Sequence, residues 1–305
     1  MDRNQMIGLG LMAALLITYA VIFKPPVTEE DLATPTATEQ VTEQPSLGET
    51  TTKTESIQDT SSANYDEQYG IFSSAVNGTA KEITIENDVA KFTFSSKGGL
   101  VKAVELKDFT TWDKRPLILF DENTSKQALV IQTTKGNINL ADLFFNSNQT
   151  SRTIVEGDSL KLEFNLDLGG NNSIVQTYTL AGGSYVVGYD IKVNGLTNVI
   201  LGDELKLIWA HDMKRFEMNL SDSRIKTTIK YYTLAEDLDD LSATSSDPQQ
   251  ELITEPLKWL SFDQKFFNAG IIAEKGFSSA NISTSIPALD TVIVKGGEMS
   301  LGIPM

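Results

Sequence analysis

Read for its alternation of apolar and polar positions, the chain falls into three stretches. Residues 6–23 (MIGLGLMAALLITYAVIF) are 18 positions without a charge, the lower limit for a helix that crosses a bilayer core. At about 1.5 Å of rise per residue such a helix spans roughly 27 Å, against a hydrocarbon thickness of about 30 Å. Residues 25–70 then lose nearly all apolar side chains, with acids from Glu29 to Glu67 set against one base, Lys53, among repeated Thr and Pro. Such a stretch cannot bury enough surface to offset its ordering entropy, which predicts a disordered linker over 25–75. As a flexible chain it would hold its ends roughly 37 Å apart. Only residues 65–76, with Tyr65, Tyr69, Ile71 and Phe72, offer side chains for an arm packed on the β-rich part of the chain.

From residue 81 the pattern becomes short alternating or β-branched runs broken by Gly, Asn and Asp. Residues 82–86 (EITIE), 90–94 (AKFTF) and 160–168 (LKLEFNLDL) alternate with period two, the mark of strands with one wet face. Asn87 and Asp88 read as a short hairpin turn, and Gly98–Gly99 and Gly182–Gly183 as further turns. More strands are predicted at 100–106, 117–120, 128–132, 173–180, 185–193, 205–210 and 225–232. The acidic, Ser-rich residues 234–247 read as a surface loop with a helical turn at 235–241. Residues 259–272 (WLSFDQKFFNAGII) read as an aromatic return into the core, its first half a helical turn opened by Pro256. Regular turns without 3.6-residue periodicity predict a mainly β fold, a large antiparallel β-sandwich over 76–305 preceded by one transmembrane helix.

The apolar run has three readings: a permanent anchor at 1–24, a cleaved signal peptide and a buried core helix. A signal peptide has a shorter apolar core that ends at a small-x-small site. Here Val21, Ile22 and Phe23 come after the nearest such site, which favours the anchor, and without cysteine there is no lipoprotein alternative. Arg3 and the amino terminus before the run, and Lys24 with Glu29, Glu30 and Asp31 after it, bias the N-terminus inward. Within the run, Gly10 and Ala14 stand four apart, as in close helix pairs, though scattered small residues give the same pattern.

Charge and composition narrow the function. A net charge of −16 without clustered Lys and Arg argues against nucleic acid, and against an anionic lipid surface as the soluble part's docking partner. Zero Cys excludes a thiolate nucleophile, a disulfide framework and a Cys-based zinc site. His211 is the single histidine, so no two-His metal site or Ser-His-Asp triad can form within the chain. It reads as a structural or merely surface histidine rather than as a tuned base beside Asp212. Acidic neighbours such as Glu236 with Asp237, or Asp239 with Asp240, lack the spacing of a calcium loop. No catalytic, metal or cofactor-binding residue is assigned, and no cofactor is expected.

Aromatic side chains are the remaining candidates for a surface that meets a partner or lines a cleft. Trp112, Trp209, Trp259, Phe262, Phe266 and Phe267 are the ones weighed, most of them expected in the core. Trp259, Phe262, Phe266 and Phe267 form the proposed partner or cleft surface. Phe266 and Phe267 are adjacent, so in a strand they point to opposite faces and one of them leaves the core.

The order of an MDRN start, an apolar span, an acidic Thr/Pro linker and a β-rich domain, with the words SSKGGLVKAVELKDFTTWDKRPLILF (95–120) and WLSFDQKFFNAGII, resembles the N-terminal part of bacterial membrane protein insertases of the YidC/Oxa1/Alb3 family, in their Bacteroidetes style. The resemblance implies an inner-membrane signal anchor with a cytoplasmic N-terminus and a periplasmic β-supersandwich similar to mutarotase-like domains. It implies as partners the lipid bilayer, nascent membrane proteins and components of the Sec translocon. It also places the insertase groove and its arginine on five further helices. No residue here matches that arginine, so the expected function is a non-enzymatic part of an insertion machine. The alternative is a membrane-tethered carbohydrate-binding or mutarotase-like domain.

Overall fold

The computed structural model describes residues 60–305. The anchor expected at 1–24 and most of the expected linker lie outside them. Among the described residues no helix is long and apolar enough to cross a membrane. The description opens on α1 (Thr60–Tyr69) and a 3₁₀ turn at Gly70–Ala75. Carrying the linker to residue 75 is therefore corrected. Phe72 and Ala75 are buried, and Phe144 N–H donates to Ala75 O at 2.8 Å. The buried Phe72 ring and that hydrogen bond dock the segment on the β-rich part of the chain.

The remainder is built of strands. The first group is β1 (Glu82–Glu86), β2 (Ala90–Ser95), β3 (Leu100–Thr110), β4 (Pro116–Phe120), β5 (Ser125–Thr133) and β6 (Gly136–Asn139). Next come β7 (Arg152–Thr153), β8 (Ser159–Asp167), β9 (Ser173–Ala181), β10 (Val187–Asn194) and β11 (Glu204–Lys214). After α2 (Leu220–Arg224) come β12 (Thr228–Thr233), β13 (Leu238–Asp240), β14 (Gln249–Ile253), β15 (Leu257–Asp263), β16 (Asn268–Phe277), β17 (Ala280–Ser285) and β18 (Ile293–Pro304). They form four sheets, in the orders β4-β3-β2-β1-β7, β10-β9-β8, β14-β17-β18-β11-β5-β6 and β13-β12-β15-β16. Pairing is antiparallel except for the two-residue parallel pair of β1 with β7.

The mainly β, antiparallel fold agrees with the alternation in the sequence. In β9, for instance, Ile174, Gln176, Tyr178 and Leu180 point inward while the residues between them face out. Aromatic rings connect the sheets: Phe94 of β2 meets Tyr178 of β9 at 4.9 Å between centroids, and Phe120 of β4 meets Trp209 of β11 at 5.8 Å. Trp209 in turn meets Phe262 of β15 at 5.1 Å, edge to face. Each such pair adds about 0.5–1.5 kcal/mol beyond its buried area.

Two polar devices fix the turns. Gly98 and Gly99 have φ of +78° and +62°, and a Cβ on Gly98 would lie 2.9 Å from the Ala141 backbone. Their carbonyls accept from the buried Gln176 amide at 2.8 Å and the Tyr178 hydroxyl at 2.7 Å. Asn87, buried between β1 and β2, accepts from the amides of Val89 and Ala90 and donates through Nδ2 to Ala181 O and Ser184 O at 2.8 and 2.7 Å. It ties the first hairpin to the turn between β9 and β10. Asn87→Ala leaves those groups unpaired, so we expect about 2 kcal/mol of lost stability in urea unfolding. An unchanged midpoint would show that water replaces the amide.

Three expected elements change. Residues 225–232 begin not as strand but as the turn that follows α2, a helix that Asn219 caps by accepting from Asp222 N–H at 3.0 Å. The helical turn at 235–241 is instead the short strand β13, paired with β12. Residues 259–272 are not helical at their start: β15 and β16 form a hairpin there. β14, β17 and β18 stand where no strand was predicted.

Candidate interaction surfaces

The β15–β16 hairpin distributes the four aromatic candidates over three places. Leu260 and Phe262 are inward positions of β15. Phe262 is fully buried against Trp209 and, at 5.2 Å, against the imidazole of His211. Its assignment to a partner or cleft surface is therefore corrected: strand parity sends it into the core, opposite Gly297 of β18. A Cβ on Gly297 would lie 2.7 Å from the Phe262 ring. Trp259 has the other parity and lies half-buried on the outer face, stacked on Tyr232 at 5.9 Å and 9°.

Phe266 and Phe267 occupy the turn between the two strands, closed by Gln264 N–H donating to Phe267 O. Phe266 is 64% exposed, with the Lys265 ammonium 4.9 Å from its ring centre. Phe267 is half-buried and meets Phe109 at 5.2 Å and Phe216 at 5.6 Å, both edge to face. The expectation that one of the pair leaves the core agrees with this, although a turn rather than a strand separates them. Trp112 joins the same end of the molecule, since its N–H donates to Phe216 O at 2.9 Å and the Arg215 guanidinium lies 5.1 Å over its ring. Phe109, Trp112, Phe266 and Met218 are all exposed there.

Neighbouring exposed apolar groups of this kind mark contact sites more often than single ones do. Aromatic rings supply large contact area at small conformational cost, and Trp and Arg are enriched where binding energy concentrates. Sequence reasoning singled out Phe266 and Phe267 but missed Phe109 and Phe216. They come from β3 and from the segment after β11, and nothing local in their sequence links them.

His211 is 2% exposed, and its Nδ1 lies 3.1 Å from Thr124 O. Burial lowers its pKa to about 4 against the pull of that carbonyl, so at neutral pH it is an uncharged ring between Phe120 and Phe262. Buried in this way, it is out of reach of a surface ligand. On the outer face of the six-stranded sheet is an open depression of about 310 Å³ lined by Gln249, Gln250, Ser283, Ser285, Gly296 and Glu298 among others. Its lining has one carboxylate and no aromatic ring, so it gives a sugar neither a stacking platform nor an acid and base pair. Among the described residues no three His, Asp or Glu side chains are placed to share a metal.

These features define a class: a large antiparallel β domain with exposed aromatic surfaces, without an assembled catalytic constellation among the described residues. The family described as the YidC periplasmic domain matches residues 82–296, and the chain belongs to it. The membrane protein insertase YidC of Cytophaga hutchinsonii is 32% identical over 294 residues, 96% of this chain and 46% of that protein. That of Amoebophilus asiaticus is 34% identical, over 92% of this chain and 46% of that protein. The chain thus spans about half the length of the curated relatives it matches. Among solved structures, a galactose mutarotase-like protein from Lactobacillus casei overlaps 73% of this chain and 87% of its own with 9% identity and a TM-score of 0.39.

Proposed function

We propose that the chain provides the anchor and periplasmic domain of a bacterial inner-membrane protein insertase. In this reading residues 1–24 hold the N-terminus in the cytoplasm, and the linker lets the β domain work in the periplasm. The domain contributes contacts with nascent membrane proteins and Sec translocon components, not the insertion step itself. The observation that carries the reading is the family match over residues 82–296, and the uncharged run at 6–23 supports the membrane end of it. The aromatic turn around Phe266 is the contact surface we assign.

A segment that crosses a bilayer needs its charges and backbone groups satisfied within the membrane, and one apolar helix without ionisable side chains satisfies none of them. Residues 1–305 reconstituted in liposomes are expected to float with the lipid yet give a single-span substrate no more protease protection of its translocated tail than protein-free liposomes. Protection above that level would overturn the division of labour. A photo-crosslinking amino acid in place of Phe266, in cells making the chain, is expected to yield adducts with membrane proteins. Adducts with none of them would count against the contact role.

A further inference from the structure

The outer face of the β13-β12-β15-β16 sheet carries a line of apolar side chains at right angles to its strands. The register places Leu238 opposite Tyr232, Tyr232 opposite Trp259 and Trp259 opposite Ile272, so the four lie side by side on one face. Their neighbours in sequence, Tyr231, Leu260 and Ile271, turn toward the core. Leu238 is 64% and Ile272 71% exposed, and the Tyr232 and Trp259 rings between them stack flat. The row ends at Ile272 on β16, a ten-residue strand at the margin of the sheet that, among the described residues, pairs with β15 alone.

The two margins differ. β13 has three residues and presents Asp239 and Asp240, a usual defence of an edge against pairing. β16 is long, and residues 268–273 (NAGIIA) carry no charge until Glu274 and Lys275. Its outward amides and carbonyls are a hydrogen-bonding template that only extended backbone can match. A helix has already used its own backbone groups, and a lipid surface has no row of alternating donors and acceptors at strand spacing. A second copy of this chain brings another net charge of −16, which opposes self-association.

We propose that β16 accepts an added strand: an extended polypeptide segment with apolar side chains at every second position. Its side chain beside Ile272 lengthens the row to five, while its backbone pairs with the β16 edge. The inference rests on sheet register and stands independently of the insertase reading.

The test uses the full chain in lipid nanodiscs and a fluorescein-labelled ten-residue peptide that alternates valine with threonine and has a lysine at each end. Anisotropy titration is expected to show saturable binding. N-methylation of the amides along one edge of the peptide abolishes it, and N-methylation along the other edge leaves it intact. Ile272→Lys and Trp259→Ala each raise Kd about tenfold, the loss of one good apolar contact, with unchanged circular dichroism in both and unchanged thermal unfolding in Ile272→Lys, at a position 71% exposed. Equal binding of both methylated peptides would overturn the proposal, because contact would then run through side chains alone. So would absence of binding, or a dimer in analytical ultracentrifugation that Ile272→Lys dissolves, which would make a second copy the occupant.

Discussion

Phe262→Ala should destabilise the domain by about 3–5 kcal/mol, the usual range for deleting a buried phenyl ring, whereas Phe266→Ala, four residues on, should change stability by less than about 0.5 kcal/mol. The contrast comes from where the hairpin puts each ring. Phe262 fills the space over Gly297 and touches Trp209 and His211 at 5.1 and 5.2 Å, so its removal leaves a cavity that the surrounding sheets can close only in part. Phe266 has the Lys265 ammonium for a neighbour and water over most of its surface. Urea unfolding of the two variants at pH 7 reads the difference as a shift of midpoint at constant slope. Similar losses for both would mean that the turn, and not strand parity, decides which rings are structural.

What was legible in the sequence was local. EITIE and AKFTF are strands over the residues at which they alternate. The Gly-Gly of SSKGGL is a turn because both residues hold positive φ. Legibility failed where a residue's surroundings come from far along the chain. Gly296 and Gly297 sit inside β18, where a Cβ on Gly297 would lie 2.7 Å from the Phe262 ring and one on Gly296 3.1 Å from the Asp212 carboxylate. Their strand lies beside β11 in the six-stranded sheet and was not predicted at all.

The aromatic turn behaved in the same way. QKFF could be recognised as unusual, but Phe109 and Phe216 reach it only through long-range contacts. The Leu238–Tyr232–Trp259–Ile272 row exists only once three strand pairings are set. A one-residue slip in any of them would send one of its members to the opposite face.

His211 should make stability fall on mild acidification, well before the ion-paired carboxylates matter. In the unfolded chain the imidazole titrates near its ordinary value of about 6.5, while in the fold burial holds it at about 4. Between these values the unfolded state binds a proton that the native state refuses, so the stability present above pH 6.5 drains away as pH falls toward 4. At about 1.4 kcal/mol per pKa unit the loss between pH 7 and pH 5 is about 2 kcal/mol, and near pH 4 on the order of 3 kcal/mol. Carboxylates act lower down: Lys107 holds Glu86, and Lys226 and Lys265 hold Asp222, below the ordinary range. Their contribution is lost only as pH falls through those depressed values. Nearby charges do not overturn the effect of burial on His211, because Lys214 and Asp121 pair with each other at 2.8 Å and pull the ring in opposite directions. Thr124 O also accepts from Asp212 N–H at 2.7 Å, so in His211→Gln that carbonyl stays paired and the slope between pH 6.5 and 5 should flatten. As the single histidine, His211 gives an unambiguous imidazole signal in NMR titration of the folded protein. A midpoint above pH 6, or an unchanged slope in His211→Gln, would show that the ring is hydrated in solution and that another group carries the acid sensitivity.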